Sequence, residues 1–180
     1  MEETKHKNSW AIDPVHTKIR FDAKYLMITS VSGWFRELEG TVVGSAEDFS
    51  DSEIRLTIYT NSIFTGIEER DEHLRSPDFF DAKKYPTITF RSTSITVHEN
   101  AIKVKGLLAI KDIKQEIEFN AKFLGIVHDP RGNIKAALEM DMEFNRKDFN
   151  ISWNEFFDKK GVLISDQVRV HADVQLLKLS

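Results

Sequence analysis

Residues 134–144 read Ile-Lys-Ala-Ala-Leu-Glu-Met-Asp-Met-Glu-Phe, and this stretch decides the fold of the chain. Its even positions carry only apolar side chains, whereas most of its odd positions carry Lys, Glu or Asp. Successive side chains of a β-strand point to opposite faces of the sheet. The period of two therefore predicts a strand with one apolar face and one face in water.

The same alternation recurs along much of the chain. It is present in residues 17–23, 54–58, 102–110, 117–123 and 168–176, with turn signals at Glu99-Asn100 and at 129–133. Short strands separated by turns are typical of an all-β sandwich or barrel. Closing a sheet into a barrel removes its exposed edges. The sequence therefore predicts an antiparallel up-and-down β-barrel of about eight strands.

One segment, near residues 67–82, breaks this rhythm and predicts a helical excursion. It begins with Glu68 and Glu69 and reaches Arg75 one to two turns later, a charge order that suits the helix dipole. Ser76-Pro77 then has the pattern of a second N-cap, followed by a short turn that carries Phe79 and Phe80. We expect such an excursion either to plug a barrel mouth or to pack against the outside of the barrel.

Length and composition limit the classes of protein to which the chain can belong. At 180 residues it has the size of one domain, which we place at 9–180 behind a flexible tail at 1–8. The absence of Cys excludes disulfides, thiolate nucleophiles and cysteine-ligated metals. The net charge is −4, and the basic residues form nothing denser than pairs such as Lys83-Lys84, so we predict no nucleic-acid partner.

The apolar runs of the chain are short. The longest are five residues, at 106–110 and 123–127, whereas crossing a bilayer takes about 20 residues. The N-terminus, MEETKHKN, lacks the apolar core of a secretory signal. We therefore expect a cytoplasmic protein without an integral membrane segment.

Catalytic motifs are missing from the sequence, which has neither a phosphate-binding glycine loop nor a GxSxG elbow. We accordingly expect no catalytic residues, no cofactor and no metal. One alternative is an enzyme that acts on an amphiphile, with Asp71 and His73 as an acid–base pair and Arg70 as an anion clamp. In another version of it, Asp71 and His73 hold a metal together with His16. Helical spacing also allows a simple network of charge pairs.

The inward positions of the predicted strands are apolar and rich in aromatic rings. They comprise Ile19, Phe21, Ile58, Ile110, Phe119, Phe123, Met140, Met142 and Phe144, with Phe64, Phe79 and Phe80 near the excursion. With 13 Phe but only 3 Trp and 3 Tyr, most of the ring surface has no polar group. A barrel of about eight strands is either filled by side chains or wide enough for one small ligand. Periodicity alone leaves both a filled scaffold and a binding cavity open.

Several motifs, in order along the chain, make it similar to the YceI-like family of polyisoprenoid-binding proteins. They include W-x-x-D-x-x-H from Trp10 to His16, R-D-x-H-L-R-S-x-D-F-F from Arg70 to Phe80, Y-P-x-I-x-F at 85–90 and N-R-x-x-F at 145–149. The resemblance implies a lipocalin-like barrel that holds a long isoprenoid chain, such as a polyprenyl quinone or phenol, and no firmly attached catalytic activity. Lys24-Tyr25 departs from the family pattern, which commonly has His there.

The resemblance favours a cavity over a filled core. It implies that the lipid contacts Phe21, Phe35, Ile58, Phe64, Leu74, Phe79, Phe80, Phe90, Ile110, Phe119, Met140, Met142, Phe144 and Trp153. It places the head group or rim at His16, Arg70, Asp71, His73, Asn145 and Arg146. The partner implied is an isoprenoid lipid, and a homodimer is a further possibility. Many relatives carry a secretion signal, which this sequence does not show.

Overall fold

The computed structural model describes residues 7–44, 48–157 and 161–179. The strands of its first half are β1 (Asn8–Ile12), β2 (Lys18–Tyr25), β3 (Thr29–Phe35), β4 (Leu38–Gly44), β5 (Glu53–Tyr59), β6 (Ile63–Phe64) and β7 (Thr87–His98). The later strands are β8 (Ala101–Ile110), β9 (Ile113–His128), β10 (Ile134–Asn145), β11 (Phe156–Phe157), β12 (Gly161–Val162) and β13 (Ile164–Lys178). The helical elements are η1 (Thr60–Ser62), α1 (Glu68–Arg75) and η2 (Arg146–Phe149), of which η1 and η2 are short 3₁₀ turns.

Within the described residues, eight strands form a closed antiparallel ring. Its order is β1, β4, β5, β7, β8, β9, β10 and β13, and pairing of β1 with β13 closes it. β2, β3 and β6 extend the sheet from β13, because β13 pairs with β2 along Ile164–Asp173 and with β1 only near its end. The predicted up-and-down β-barrel is therefore confirmed.

The quoted stretch at 134–144 forms most of β10, between β9 and β13. Met140 pairs with Ala172 and Met142 with Val170, so apolar side chains of neighbouring strands share the inner face. The other alternating stretches lie in β2, β5, β8, β9 and β13, as predicted. Turns also occur at Glu99-Asn100 and at 129–133.

The helical excursion is present, with one change in detail. Helix α1 occupies Glu68–Arg75, with its acidic residues first. Ser76-Pro77 starts a hydrogen-bonded turn and not a second helix, since the Phe79 amide donates to the Ser76 carbonyl at 3.0 Å and the Phe80 amide to the Leu74 carbonyl at 3.0 Å. Of the predicted tail at 1–8, residues 1–6 lie outside the described residues, and β1 already begins at Asn8.

The two ends of the barrel differ, and we name its two parts accordingly. The closed half contains the loops at 13–17 and 129–133 and is filled by side chains that include Trp10, Phe49 and Phe123. Phe49, in the β4–β5 loop, lies 5.6 Å from the Trp10 ring on β1 and 5.9 Å from the Phe123 ring on β9, centroid to centroid. It therefore spans the interior. The open half contains α1, the β2–β3 turn and the described residues 146–157 and 161–164.

In the part of the chain that the structure describes, no helix is long and apolar enough to cross a membrane.

Candidate functional site: an apolar cavity in the open half

The open half encloses a cavity of about 360 Å³. Its walls are inward side chains of the barrel strands, and α1 with Ile151, Trp153, Leu163 and Ile164 covers part of its end. The volume lies within the range of about 300–1,000 Å³ that is usual for small-molecule sites. The barrel is therefore not filled along its whole length.

The cavity wall is almost entirely hydrocarbon. Apart from Phe64, every residue that the resemblance assigned to lipid contact lines it: Phe21, Phe35, Ile58, Leu74, Phe79, Phe80, Phe90, Ile110, Phe119, Met140, Met142, Phe144 and Trp153. Phe123, inward by parity, lies below the cavity against Phe49. The structure thus brings the predicted apolar set together around one space.

Phe64 is the exception, because its ring lies on the outer face of the sheet. β6 pairs with β3 so that Phe64 is opposite Trp34, while the adjacent Phe35 points inward. The Phe64 and Trp34 ring centroids are 5.0 Å apart, and the Arg36 guanidinium stacks 3.6 Å from the Phe64 centroid. The expectation that Phe64 faces the lipid is corrected on this point.

A glycine makes room for one of the wall rings. Gly33 on β3 is paired with Phe21 on β2. A Cβ at position 33 would lie 2.5 Å from Phe21 Cζ, closer than any normal contact. The Phe21 ring then packs at 5.8 Å from Phe35, which in turn packs at 5.7 Å from Phe80. Gly33 therefore allows a continuous aromatic wall.

The mouth of the cavity is marked by residues that line it and also reach solvent. Lys24 is exposed and Tyr25 is 40% exposed, and both line the cavity. Sequence reasoning noted this pair only as a departure from the family pattern. It also missed Ile151, Leu163 and Ile164, which line the cavity from irregular segments or a strand end where alternation gives no signal.

His73 lies at the mouth, on the inner side of α1. Its Nε2 is 2.9 Å from Asp78 Oδ2. Its ring meets those of Phe79 and Trp153 edge to face, at centroid distances of 5.1 and 4.7 Å. The His73 ring is therefore held in place by two aromatic wall residues and one carboxylate, while its side chain stays 40% exposed.

Asp71, by contrast, has a structural role. It is 1% exposed, and its Oδ1 accepts hydrogen bonds from the Thr65 amide at 2.8 Å and the Thr65 hydroxyl at 2.5 Å. Arg70 donates to the same Thr65, from Nε to the hydroxyl at 2.7 Å and from Nη2 to the carbonyl at 2.8 Å. Asp71 thus bonds to Thr65 and His73 to Asp78, so the alternative acid–base pair does not form. Arg70 lines the cavity.

Arg146 also lines the cavity, but its guanidinium N–H groups donate to backbone carbonyls. Nη1 donates to the carbonyls of Ile151 and Trp153, both at 2.8 Å, and Nε donates to the Ser165 carbonyl at 2.9 Å. Burial lowers the pKa of the Arg146 guanidinium, and Asp166 partly offsets this effect. Asn145 does not line the cavity; its side chain accepts from the Lys147 amide at 2.9 Å and caps η2. Both residues shape the segment beside the mouth.

His16 lies in the closed half, at the other end of the barrel from His73. Its Nδ1 is 2.8 Å from Asp13 Oδ2. Asp13 also accepts from the Val15 amide at 3.0 Å and from Gln175 Nε2 at 3.0 Å. Burial raises the pKa of Asp13, but the hydrogen bonds from His16 and the backbone outweigh burial and lower it overall. His16 therefore lies outside the cavity, and the structure does not bring it to Asp71 and His73.

One group of possible metal ligands lies elsewhere, on the outer face of β10 and β13. Ligand atoms of Glu139, Asp141 and His171 lie within 4.8 Å of one another. The hydrogen bond that His171 Nδ1 donates to Asp141 Oδ1, at 2.7 Å, raises the pKa of His171, and Asp173 contributes further. This agrees with the polar parity of His171 and accounts for the cluster as ordinary charge pairing on a wet sheet face.

The fold recurs in solved structures of bacterial proteins. BcnA of Burkholderia cenocepacia superposes with a TM-score of 0.79 at 21% sequence identity, covering 91% of this chain and 98% of that one. A polyisoprenoid binding domain from Saccharophagus degradans, implicated in plant cell wall breakdown, superposes with a TM-score of 0.70 at 16% identity, covering 94% and 98%. Likenesses at such identities show a shared fold.

Sequence comparison is more specific. UPF0312 protein SA2479 of Staphylococcus aureus (strain N315) is 33% identical over 168 residues, which cover 93% of this chain and 96% of that protein. The profile of the YceI-like domain matches residues 10–176, a span that contains the barrel strands, the helical excursion and the cavity wall. The barrel described above is thus the YceI-like domain, and the chain belongs to the YceI-like family.

Proposed function

We propose that this protein binds a long-chain polyisoprenoid lipid, of the polyprenyl quinone or phenol type, in the cavity of the open half. Such binding would serve carriage, storage or sequestration of the lipid. The observation that carries the proposal is a cavity of about 360 Å³ whose lining is apolar apart from Lys24, Tyr25, Arg70, His73 and Arg146.

The wall suits hydrocarbon for physical reasons. A prenyl chain offers apolar surface only, so its affinity comes from area removed from water, about 25 cal/mol per Å². Phe rings present such area without a hydrogen-bonding group to satisfy. The flexible side chains of Met140 and Met142 can adapt to an irregular, branched ligand. The similar fold of the Saccharophagus degradans polyisoprenoid binding domain supports the same ligand class.

The mouth supplies polar groups for a quinone or phenol head. His73, Arg70 and the Tyr25 hydroxyl are available there, with Lys24 beside them. Among the described residues, Thr65 engages Nε and Nη2 of Arg70 but not Nη1. We assign head-group contact to this set. Asp71, Asn145 and Arg146 position the rim, and His16 belongs to the closed half.

The proposal has a direct test. The protein is purified without detergent, extracted with organic solvent and analysed for prenyl masses, and the stripped protein is then offered a polyprenyl quinone. We expect one lipid per chain in at least one of the two measurements. Blank extracts together with no uptake of added lipid would exclude the proposal.

A matched variant identifies the place of binding. Ala23 lines the cavity wall between Val31 and Val168, so Ala23→Phe puts a ring into the empty space. We expect this variant to fold and to take up at least tenfold less lipid. Equal uptake by Ala23→Phe and the unaltered protein would place the lipid elsewhere.

The two alternatives fit the structure less well. A filled scaffold conflicts with the cavity itself, and no role as scaffold requires an empty interior of this size. An enzyme built on Asp71 and His73 lacks their contact, because Thr65 and Asp78 occupy the two groups.

A further inference from the structure

The turn between β2 and β3 exposes apolar side chains at a conformational cost. Met27 is 60% exposed and Ile28 is 78% exposed. Leu26 and Met27 have φ angles of 52° and 59°, and the Ile28 amide donates to the Tyr25 carbonyl at 3.1 Å. This is the backbone of a type I′ turn, for which Asn-Gly is the favoured pair. A Leu-Met turn is therefore unfavourable both for its backbone and for its contact with water.

This turn lies at the mouth of the cavity. Lys24 and Tyr25, the last residues of β2, line the cavity, and the Leu26 amide donates to the carbonyl of Leu163 at 2.9 Å. Leu163 lines the cavity as well. The exposed apolar residues Met27 and Ile28, which we name the turn tip, are thus continuous with the rim through which a ligand enters.

The charges around the tip favour one kind of partner. From 23 to 31, the residues of the turn and of the strand ends beside it, the sequence contains no Asp or Glu, and its ionisable cation is Lys24. On the other side of the mouth, α1 presents exposed Glu68, Glu69 and Glu72. Apolar side chains next to a basic residue suit the interface of an anionic bilayer, whereas the acidic helix suits water. The distribution therefore defines which side of the mouth faces a membrane.

We propose that the turn tip inserts into the interface of a lipid bilayer and that the apolar ligand passes there between membrane and cavity. The identity of the transferred ligand rests on the proposed function, whereas the contact between the turn tip and the bilayer does not. An apolar chain that moved through water would expose its whole surface, and contact between mouth and bilayer avoids this exposure. The tip then has a reason to keep Met27 and Ile28 apolar.

The test uses a variant designed to keep the fold. Met27→Gly suits the left-handed backbone at position 27, and Ile28→Thr keeps a β-branched side chain. The double variant is compared with the unaltered chain on vesicles of equal parts phosphatidylcholine and phosphatidylglycerol, by flotation. We expect the double variant to bind the vesicles at least about tenfold more weakly than the unaltered chain, since two apolar side chains that would be buried in lipid are removed. Val15→Thr, at the 82% exposed Val15 of the closed half, is the matched control and should bind like the unaltered chain.

Uptake measurements separate this inference from the proposed function. When polyprenyl quinone is supplied in the vesicles, the double variant should load more slowly, yet it should reach the same occupancy when the quinone is dispersed from solvent. Equal flotation of the double variant and the unaltered chain, or no flotation of the unaltered chain, would overturn the docking proposal. Flotation that depends on the tip, without quinone uptake in either format, would support docking and remove the proposed cargo.

Discussion

The closed and open halves of the barrel share the same alternation of side chains, but the interior of the closed half is filled, whereas that of the open half encloses a cavity. In the closed half, Phe49 reaches across the interior to Trp10 and Phe123 and leaves the rings in contact. In the open half, rings such as Phe90 and Phe119 line the wall at 5.5 Å from each other and face a cavity. The difference shows that inward apolar parity determines the lining of a barrel, whereas the loops at its ends determine whether the interior is filled.

The Phe49 loop of the closed half and the segments around the cavity also differ in what holds them. The Phe49 loop is anchored by aromatic packing. Beside the mouth, the stretches at 146–153 and 164–166 are anchored by Arg146 through backbone carbonyls, and the start of α1 is anchored by Asp71 through Thr65. Hydrogen bonds from a buried polar group hold a segment without filling the space next to it. Polar anchors are therefore compatible with a cavity.

The largest expected effect on stability comes from a substitution in the closed half. Phe49→Ala should reduce the free energy of unfolding by about 3–5 kcal/mol, because a buried ring is replaced by a void that its neighbours cannot fill. Phe119→Ala, on the cavity wall, should cost about half as much or less, since one side of that ring already lacks contacts. Urea unfolding of both variants measures the two values. Equal losses would mean that the two halves are packed alike.

The next effect concerns the polar anchor of the open half. Arg146→Met should lower the free energy of unfolding by about 3 kcal/mol, because the carbonyls of Ile151, Trp153 and Ser165 lose their donor in a buried place. Arg169→Met, at a largely exposed arginine on β13, is the control and should change stability by less than about 0.5 kcal/mol. A loss at Arg146 no larger than that at Arg169 would contradict the anchoring role.

A smaller contrast comes from adding volume to each half. Ala136→Phe enlarges a buried side chain in the closed half and should cost about 1–3 kcal/mol by overpacking. Ala23→Phe enlarges a cavity residue and should leave the free energy of unfolding within about 1 kcal/mol of its original value. Thermal and urea unfolding test both. If Ala23→Phe were the more damaging of the two, the cavity would have to be closed in solution.

These contrasts explain how much of the molecule the sequence predicts. Alternation identified β2, β5, β8, β9, β10 and β13, where one face is apolar and the other is wet. It was weaker in β4, which places Val42 and Val43 side by side. It was also weaker in β7, where the inward Ser92 is buried and its Oγ accepts a hydrogen bond of 2.8 Å from the Ile54 amide of β5. The wall of the cavity followed from parity and from the family resemblance.

The rest of the site depends on contacts between distant residues. The sequence analysis assigned Phe64 to the inner face of the barrel. β6 is only two residues long, however, and its pairing with β3 puts Phe64 opposite Trp34, on the outer face. Asp71 and His73 are only two residues apart on α1, a spacing that turns their side chains to different sides of the helix, and each bonds to a residue outside that pairing. Nor does parity give the distance across a barrel, so the cavity itself could not be predicted from periodicity.

The smallest expected effect concerns the carboxylate of Asp13, which holds the loop at 13–17 in the closed half. The pKa of Asp13 is lowered in the folded protein, where hydrogen bonds from His16 and the backbone outweigh burial. A carboxylate with a lowered pKa contributes stability above its unfolded value, and this contribution is lost as the pH falls through the folded value. Asp13→Asn should therefore cost about 1 kcal/mol at neutral pH, and the difference should shrink as the pH drops below about 4.

Urea unfolding of Asp13→Asn and the unaltered protein, at a series of pH values from neutral to acidic, measures this difference. Asp166→Asn, in the open half, serves as the comparison, because Asp166 is 40% exposed and 3.7 Å from Arg146. A gap for Asp13→Asn that stays constant with pH would show that the carboxylate fastens the loop by shape and hydrogen bonding alone. If the difference in free energy of unfolding between the two proteins disappears in acid, the negative charge of Asp13 fastens the loop. The closed half would then depend on one ionised group at its outer end.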